Sequence, residues 1–158
     1  MLGIVTGSGL GALVVVVCLA LLVWNTRRPA AVEIAVQDDQ LIVRMLGWDV
    51  VYCCRRRVVI PVAAVAGVCV APRDDVPAEG LRMPGASIRG VIRAGSFGSD
   101  DQRDFWDVRR AAQVLVIQLK PGAAEFRRIV VEVPDAHSEM MRLRPILGAT
   151  LLPQSFAV

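Results

Sequence analysis

The first two dozen positions are largely apolar and carry no charge, whereas polar and apolar residues alternate in several segments of the remaining chain. The 23 residues from Leu2 to Trp24 carry no charge, and as a helix they would span about 34 Å. The hydrocarbon core of a bilayer is about 30 Å thick, and a helix satisfies its own backbone groups in lipid. The pattern therefore predicts a transmembrane helix over residues 1–26.

The residues that follow this segment indicate its fate and orientation. A secretory signal has basic residues before its apolar run and small residues at its cleavage site, whereas this run ends in Trp24 followed by Arg27 and Arg28. We therefore expect a retained anchor; the alternative is a cleaved signal that releases a secreted ligand-binding domain. Arginines favour the cytoplasmic side, so the N-terminus is expected outside the plasma membrane and the rest in the cytoplasm.

Short alternating segments predict a mainly β domain over residues 32–148, after a linker at 27–31 and before a tail at 149–158. The clearest signal is a hairpin of two alternating runs around the turn residues Asp38 and Asp39. Further strands are predicted at residues 50–53, 58–61, 65–70, 90–97, 105–108, 114–119 and 128–133. Residues 71–89 are rich in proline and glycine and are predicted to form a long loop, in which a brief strand pairing is the alternative.

One helix is predicted to close the domain. Asp135 is placed to cap its first turn, and Met140, Leu143 and Leu147 would share its apolar face. Pro145 lacks a backbone N–H and is expected to kink or end the helix. About seven antiparallel strands followed by one helix predict a small barrel or sandwich.

Charge and cysteine content exclude several classes of protein. The chain has 18 basic and 15 acidic residues, a net charge of +3 that is too small for a nucleic-acid surface. Its 4 cysteines lack metal-ligand spacing and only 1 histidine is present, so neither a zinc site nor a nucleophile–histidine–acid site is predicted. We expect free thiols, no cofactor, no small-molecule substrate and no enzymatic activity.

Several segments together resemble a family of small actinobacterial single-pass membrane proteins with a pleckstrin-homology-like (PH-like) domain. The likeness covers roughly residues 31–147 and is carried by residues 58–62, 65–68, 80–85, 90–95, 105–108 and 131–135. The resemblance implies a PH-like barrel of about seven antiparallel strands, with the C-terminal helix closing one mouth. It implies architecture rather than an activity.

Three glycines repeat every four residues in the apolar segment, at Gly3, Gly7 and Gly11. On a helix they share one face, and small residues there allow a second helix to approach closely. This predicts packing against a homo-oligomer mate or another membrane protein; the alternative is that glycine is simply common in membrane helices.

A basic run at Arg55, Arg56 and Arg57 is the second candidate surface. The run lies near Trp48 in the sequence and, together with Trp24, Arg27 and Arg28, is a candidate contact with the membrane surface, where each arginine contributes about 1 kcal/mol to contact with anionic lipid. The alternative is a solvated strand edge that discourages pairing with other chains.

An acidic run, Asp100, Asp101, Asp104 and Asp107, lacks the ligand spacing of a calcium loop and is predicted to be a solvated loop. The adjacent aromatic pair at 105–106 is predicted to lie in the core, with an exposed anchor for a partner as the alternative.

These features predict a non-catalytic, membrane-anchored accessory or scaffold protein. It would bind another membrane protein or a protein segment at the cytoplasmic face, or associate with copies of itself through the transmembrane helix. The alternative is a module that binds anionic lipid headgroups.

Overall fold

A computed structural model of the chain describes residues 6–26, 28–77, 82–88, 91–99, 103–148 and 150–151. Within these residues the protein is mainly β, with one helix at the start of the described chain and another just before its last strand. The mainly β class and the C-terminal helix are confirmed. The predicted number of strands, about seven and all antiparallel, is wrong, because the described residues form ten strands and two of their pairings are parallel.

The N-terminal helix, α1, spans Thr6–Thr26. Its four successive valines at 14–17 are between 46% and 61% exposed, and successive residues on a helix point in directions about 100° apart. No side of this part of α1 is therefore covered by the rest of the protein. Counting only the side chains that the structure describes, which in α1 are those of residues 11–21, 23 and 24, no helix is long and apolar enough to cross a membrane.

A three-stranded antiparallel sheet follows, formed by β1 (Val32–Gln37), β2 (Gln40–Met45) and β3 (Arg57–Pro61). The predicted hairpin is confirmed. Asp38 and Asp39 both have positive φ, +49° and +56°, which is the geometry of a tight turn that matches strand twist.

The segment between β2 and β3 is a short helix, α2 (Asp49–Tyr52), so the strand predicted at residues 50–53 is wrong. Gly47 turns the chain with φ +58°, and the Cys53 N–H donates to the Asp49 carbonyl at 2.8 Å. The strand preference of Val50 and Val51 is overridden because the Asp49 side chain is buried in an ion pair.

A seven-stranded sheet holds most of the remaining chain, in the order β10-β4-β8-β9-β7-β6-β5. Its strands are β4 (Val65–Pro72), β5 (Arg82–Ile88), β6 (Ile92–Phe97), β7 (Asp104–Val108), β8 (Gln113–Leu119), β9 (Arg128–Val131) and β10 (Thr150–Leu151). Single 3-10 turns at Val62–Ala64 and Arg73–Asp75 bracket β4.

Two parts of this sheet depart from the predictions. β5 is a seven-residue strand within the segment predicted as a long loop with at most a brief pairing, because Pro84 and Gly85 are unfavourable in a strand and concealed its extent. At Gly85 the backbones of β5 and β6 approach so closely that an added Cβ would lie 2.9 Å from Gly95 Cα. β10, in the predicted tail, pairs in parallel with Gly67 and Val68 of β4.

The centre of the large sheet is buried on both faces. On one face Phe105, Leu115 and Ile129 pack with residues of the small sheet, and on the other Trp106 and Val116 form a second cluster. Phe105 and Trp106 are both 0% exposed, which confirms their predicted place in the core. Strands β7 and β9 therefore have no solvent side.

The closing helix, α3, spans Ala136–Leu147. The Asp135 side chain accepts from the Ser138 N–H at 3.0 Å, so the predicted cap is confirmed. Leu143 and Leu147 are buried. Pro145 does not end the helix, which runs on until Gly148 caps it with φ +57°.

Candidate functional site

A cluster of buried charged side chains lies where the chain leaves α1 and enters the β domain. We call it the ionic joint; it consists of the side chains of Asp49, Asp107, Arg109 and Glu132 with the backbone of Arg28 and Ala31. The four side chains belong to residues that are at most 5% exposed. Such burial is rare for charged residues unless they are paired.

Arg109 is the centre of the joint. Its Nη2 donates to Asp49 Oδ1, and its Nη1 donates to the Arg28 carbonyl at 3.2 Å. The other oxygen of Asp49 accepts the Ala31 N–H at 2.7 Å. One guanidinium and one carboxylate thus hold the chain at both ends of the segment from Arg28 to Ala31.

Glu132 fixes the backbone that carries Arg109. Its Oε2 accepts from the N–H groups of Arg109, Arg110 and Ala111 at 2.7, 3.0 and 3.2 Å. Successive backbone N–H groups directed at one oxygen form an anion-binding concavity. The carboxylate is therefore compensated by backbone dipoles, which leaves the Arg109 guanidinium for Asp49 and the linker.

Asp107 is buried in the same cluster without such compensation. Neither of its oxygens accepts a hydrogen bond of ordinary geometry from a described residue. The nearby Cys53 thiol, which donates to the Trp106 carbonyl at 3.8 Å, only weakly favours the charged carboxylate. Burial raises the pKa of Asp107 well above its usual range, the Asp49 charge adds to this, and the Arg109 charge opposes it. The Asp107 carboxyl group is accordingly biased toward its neutral form.

A second buried ion cluster lies at the other end of β7. Asp104 is 0% exposed and accepts from Arg127 Nε at 2.7 Å and from Arg128 Nε at 2.8 Å. Arg128 also donates to the Pro77 carbonyl. The prediction that the acidic run is a solvated loop is wrong for Asp104 and Asp107; the other two aspartates lie outside the described residues.

The cysteines are free, as predicted. Cys53 and Cys69 are buried, and burial raises the pKa of the Cys69 thiol to about 11. Burial, followed by the Asp107 charge, also raises the pKa of the Cys53 thiol. Both buried thiols are therefore held in their unreactive, protonated form.

The predicted helix-packing residues lie only partly within the described chain. Gly3 lies outside it, and Gly7 is in the helical backbone of α1. A Cβ added to Gly11 would meet nothing within 4 Å, so the glycine face is open at this position.

Some of the residues predicted to contact the membrane surface are instead engaged within the protein. Arg55 forms a two-pronged ion pair with Glu125, at 2.8 Å for each nitrogen–oxygen contact, whereas Arg56 and Arg57 are exposed. Trp24 is 57% exposed, and the Arg28 guanidinium lies 3.8 Å from its ring centroid. Arg27 lies outside the described residues.

An exposed apolar surface lies beside the ionic joint, and the sequence had indicated only its tryptophan, as a neighbour of the arginine run. We call it the α2 patch; it consists of Leu46, Trp48 and Val51, which are 44%, 63% and 61% exposed. The Leu46 N–H donates to the Ala31 carbonyl at 2.8 Å. The patch therefore lies directly beside the point at which the linker joins the domain.

Comparison with known proteins adds no family or fold relative. No family model matches the chain, and no curated protein or solved structure is significantly similar to it.

Proposed function

We propose that the protein is a non-catalytic accessory protein that α1 anchors in the plasma membrane. The β domain would lie at the cytoplasmic face and present a binding surface to another membrane protein or to a protein segment. The observation that carries this proposal is the ionic joint, which fixes the domain to the chain only two residues beyond Thr26.

Anchoring is supported by the character of α1. Its described apolar side chains are exposed on all sides, and a helix that is apolar all round is stable when buried in a large core or in a membrane. The uncharged run from Leu2 to Trp24 is long enough for a span. Trp24 and Arg28 would then lie at the interface.

The test of anchoring and orientation uses the full chain with a tag after Val158. We expect the protein to stay in the membrane after alkaline carbonate washing, and the tag to be cleaved only after the cells are opened. A tag before Met1 is the matched control and should be cleaved in intact cells. Cleavage of the Val158 tag from outside intact cells would contradict the proposed orientation.

The border strand β5 of the large sheet, which pairs on one side only within the described residues, is the supported site for a protein segment. β10 occupies the border beside β4, whereas β5 forms the other border with Ile88 51% exposed. An exposed strand border accepts an extended segment through backbone hydrogen bonds. A photoreactive residue at Ile88 should crosslink a partner in cells, and one at the exposed Gln40 should not.

Packing of α1 against a second helix is the other route to a partner. The open surface at Gly11 supports it, because close backbone approach needs small residues. Replacing Gly7 and Gly11 with leucine should reduce association in membranes, measured by energy transfer between labelled copies and by co-purification. Unchanged association would exclude this face.

The PH-like fold belongs to the same proposal. It is supported by the predominance of strands and by the packing of α3 on β4 and β8. The parallel pairings β7–β9 and β10–β4 depart from an all-antiparallel barrel.

The second candidate function is binding of anionic lipid headgroups, favoured by the exposure of Arg56 and Arg57. Chemical modification of arginines by phenylglyoxal tests it in nanodiscs with and without phosphatidylglycerol. We expect anionic lipid to slow modification of these two residues, and not of the exposed Arg144 on α3. Equal rates in both lipids would exclude headgroup binding at this site.

A further inference from the structure

We infer that the α2 patch inserts into the interfacial layer of the same bilayer that holds α1, so that the β domain rests on the membrane surface. This inference rests on the proposed anchoring by α1. It assigns a lipid contact to Leu46, Trp48 and Val51, a surface distinct from the arginine run.

The first step is the exposure of the patch. Single exposed apolar residues are ordinary, but here three lie within six positions, and Trp48 is 63% exposed whereas Trp106 is 0% exposed. Trp48 occupies the N-cap of α2 and makes no side-chain capping bond there. A small polar residue would cap this helix better. The Trp48 indole therefore neither packs in the core nor caps the helix.

The second step is the position of the patch. The Arg28 carbonyl, two residues after α1 ends, is held by Arg109, and the same guanidinium holds Asp49 of α2. Leu46 is bonded to Ala31, five residues after Thr26. Five residues reach at most about 17 Å, and the two anchor points shorten the free length further. The patch therefore cannot move far from the end of α1.

The third step is the charge at the two ends of the small sheet. Arg57 is the first residue of β3, and Arg56 comes just before it. Both lie beside the last residue of β2, because the Met45 N–H donates to the Arg56 carbonyl at 3.0 Å. Asp38 and Asp39 form the turn at the opposite end of the hairpin. A basic end beside α1 and an acidic end away from it match the negative surface of a cytoplasmic leaflet.

These three observations favour lipid over a protein partner. Tryptophan is enriched where an apolar ring meets the headgroup layer, and the patch is bordered by arginines, which lower the free energy of contact with anionic lipid. The joint keeps the patch at the height of the bilayer surface without requiring a second protein.

The test follows Trp48 fluorescence in the full chain reconstituted in phosphatidylcholine vesicles. Trp24→Phe retains Trp48 and the buried Trp106, and Trp24→Phe with Trp48→Phe retains Trp106 alone, so the difference between them reports Trp48. We expect lipids brominated near the headgroup to quench most of the Trp48 signal. Adding phosphatidylglycerol should increase the quenching.

The matched control moves the indole to the acidic end of the same hairpin. Gln40→Trp, made in the chain with Trp24→Phe and Trp48→Phe, places an indole beside the Asp39 turn at an exposed position. Its fluorescence should resist the brominated lipids and be quenched by iodide in the buffer. Equal lipid quenching at positions 48 and 40 would overturn the orientation that we infer.

The remaining outcomes separate this inference from the anchoring on which it rests. Release of the protein by alkaline carbonate would reject the anchoring itself. Retention in the vesicles with Trp48 quenched by iodide rather than by lipid would reject only the docking of the patch. In native membranes, shielding of Trp48 from both quenchers would identify a protein partner and reject the lipid contact.

Discussion

Asp104 and Asp107 lie three residues apart on one strand, are both fully buried, and occupy opposite electrostatic settings. Asp104 receives two guanidinium groups from Arg127 and Arg128. Asp107 receives no hydrogen bond of ordinary geometry from a described residue and has Asp49 as an acidic neighbour. Identical side chains at equal burial thus differ in the partners that surround them. For Asp107 burial is the main cause of the raised pKa, and the Arg109 charge opposes it only in part.

The largest effect is expected from removing the charge at the centre of the ionic joint. Arg109→Met would leave Asp49 buried without its ion pair, which costs about 3–5 kcal/mol of unfolding free energy. Urea unfolding of the full chain in mild detergent, followed by near-UV circular dichroism, measures the loss. Arg110→Met is the control, because its exposed side chain should matter by less than about 0.5 kcal/mol. Equal losses in both variants would show that the ionic joint does not stabilise the fold.

A smaller loss is expected at the other end of β7. Asp104→Asn removes a carboxylate that accepts charge-assisted hydrogen bonds, and the same unfolding measurement should lose about 2–3 kcal/mol. The loss is limited because the Arg127 side chain is 27% exposed and can regain water. The exposed Asp74→Asn is the control. Matching stabilities of the two variants would show that the buried pairing adds nothing.

Asp107 should respond in the opposite direction. Because folding raises the pKa of its carboxyl group, the stability it contributes is full below the ordinary carboxyl pKa of about 3.9 and is lost as pH rises through the folded value. Asp107→Asn abolishes this loss and should be more stable than the parent at neutral pH, by less than the Asp104→Asn variant loses. Unfolding free energies measured from pH 4 upward should therefore slope less in the variant, and parallel slopes would contradict the assignment.

The smallest effect belongs to an ion pair at the surface. The ion pair between Arg55 and Glu125 has short nitrogen–oxygen contacts, but the two side chains are 36% and 45% exposed. Glu125→Gln should cost no more than about 1 kcal/mol, and added salt should reduce the difference from the parent. A loss as large as that of Asp104→Asn would mean that solvent does not set the strength of these pairs.

The sequence predicted the elements with strong periodicity and missed those decided by contacts between distant residues. The hairpin at Asp38 and Asp39 and the cap at Asp135 depend on neighbouring residues, so local pattern was sufficient. The helix at Asp49 depends on Arg109, 60 residues away, and no local pattern contains that pair. Pairing of β10 with β4 is equally long-range.

The burial of the two aspartates is indicated in the sequence by the residues between them. Adjacent residues on a strand face opposite sides, so a strand whose Phe105 and Trp106 are both in the core must be covered on both faces. Its acidic residues, Asp104 and Asp107, then have no solvent side either. The partners of these aspartates could not be predicted, because Arg109 and Arg128 resemble many other arginines in the chain.

The close approach of β5 and β6 limits which substitutions evolution can accept in this part of the chain. At Gly85 any side chain would meet main-chain atoms of Ala94 and Gly95. A second mutation can shorten a neighbouring side chain, but it cannot remove main-chain atoms. Replacement of this glycine is therefore not rescued by a compensating change nearby. Among diverged homologues, glycine at this position should persist after most of the surrounding strand has changed.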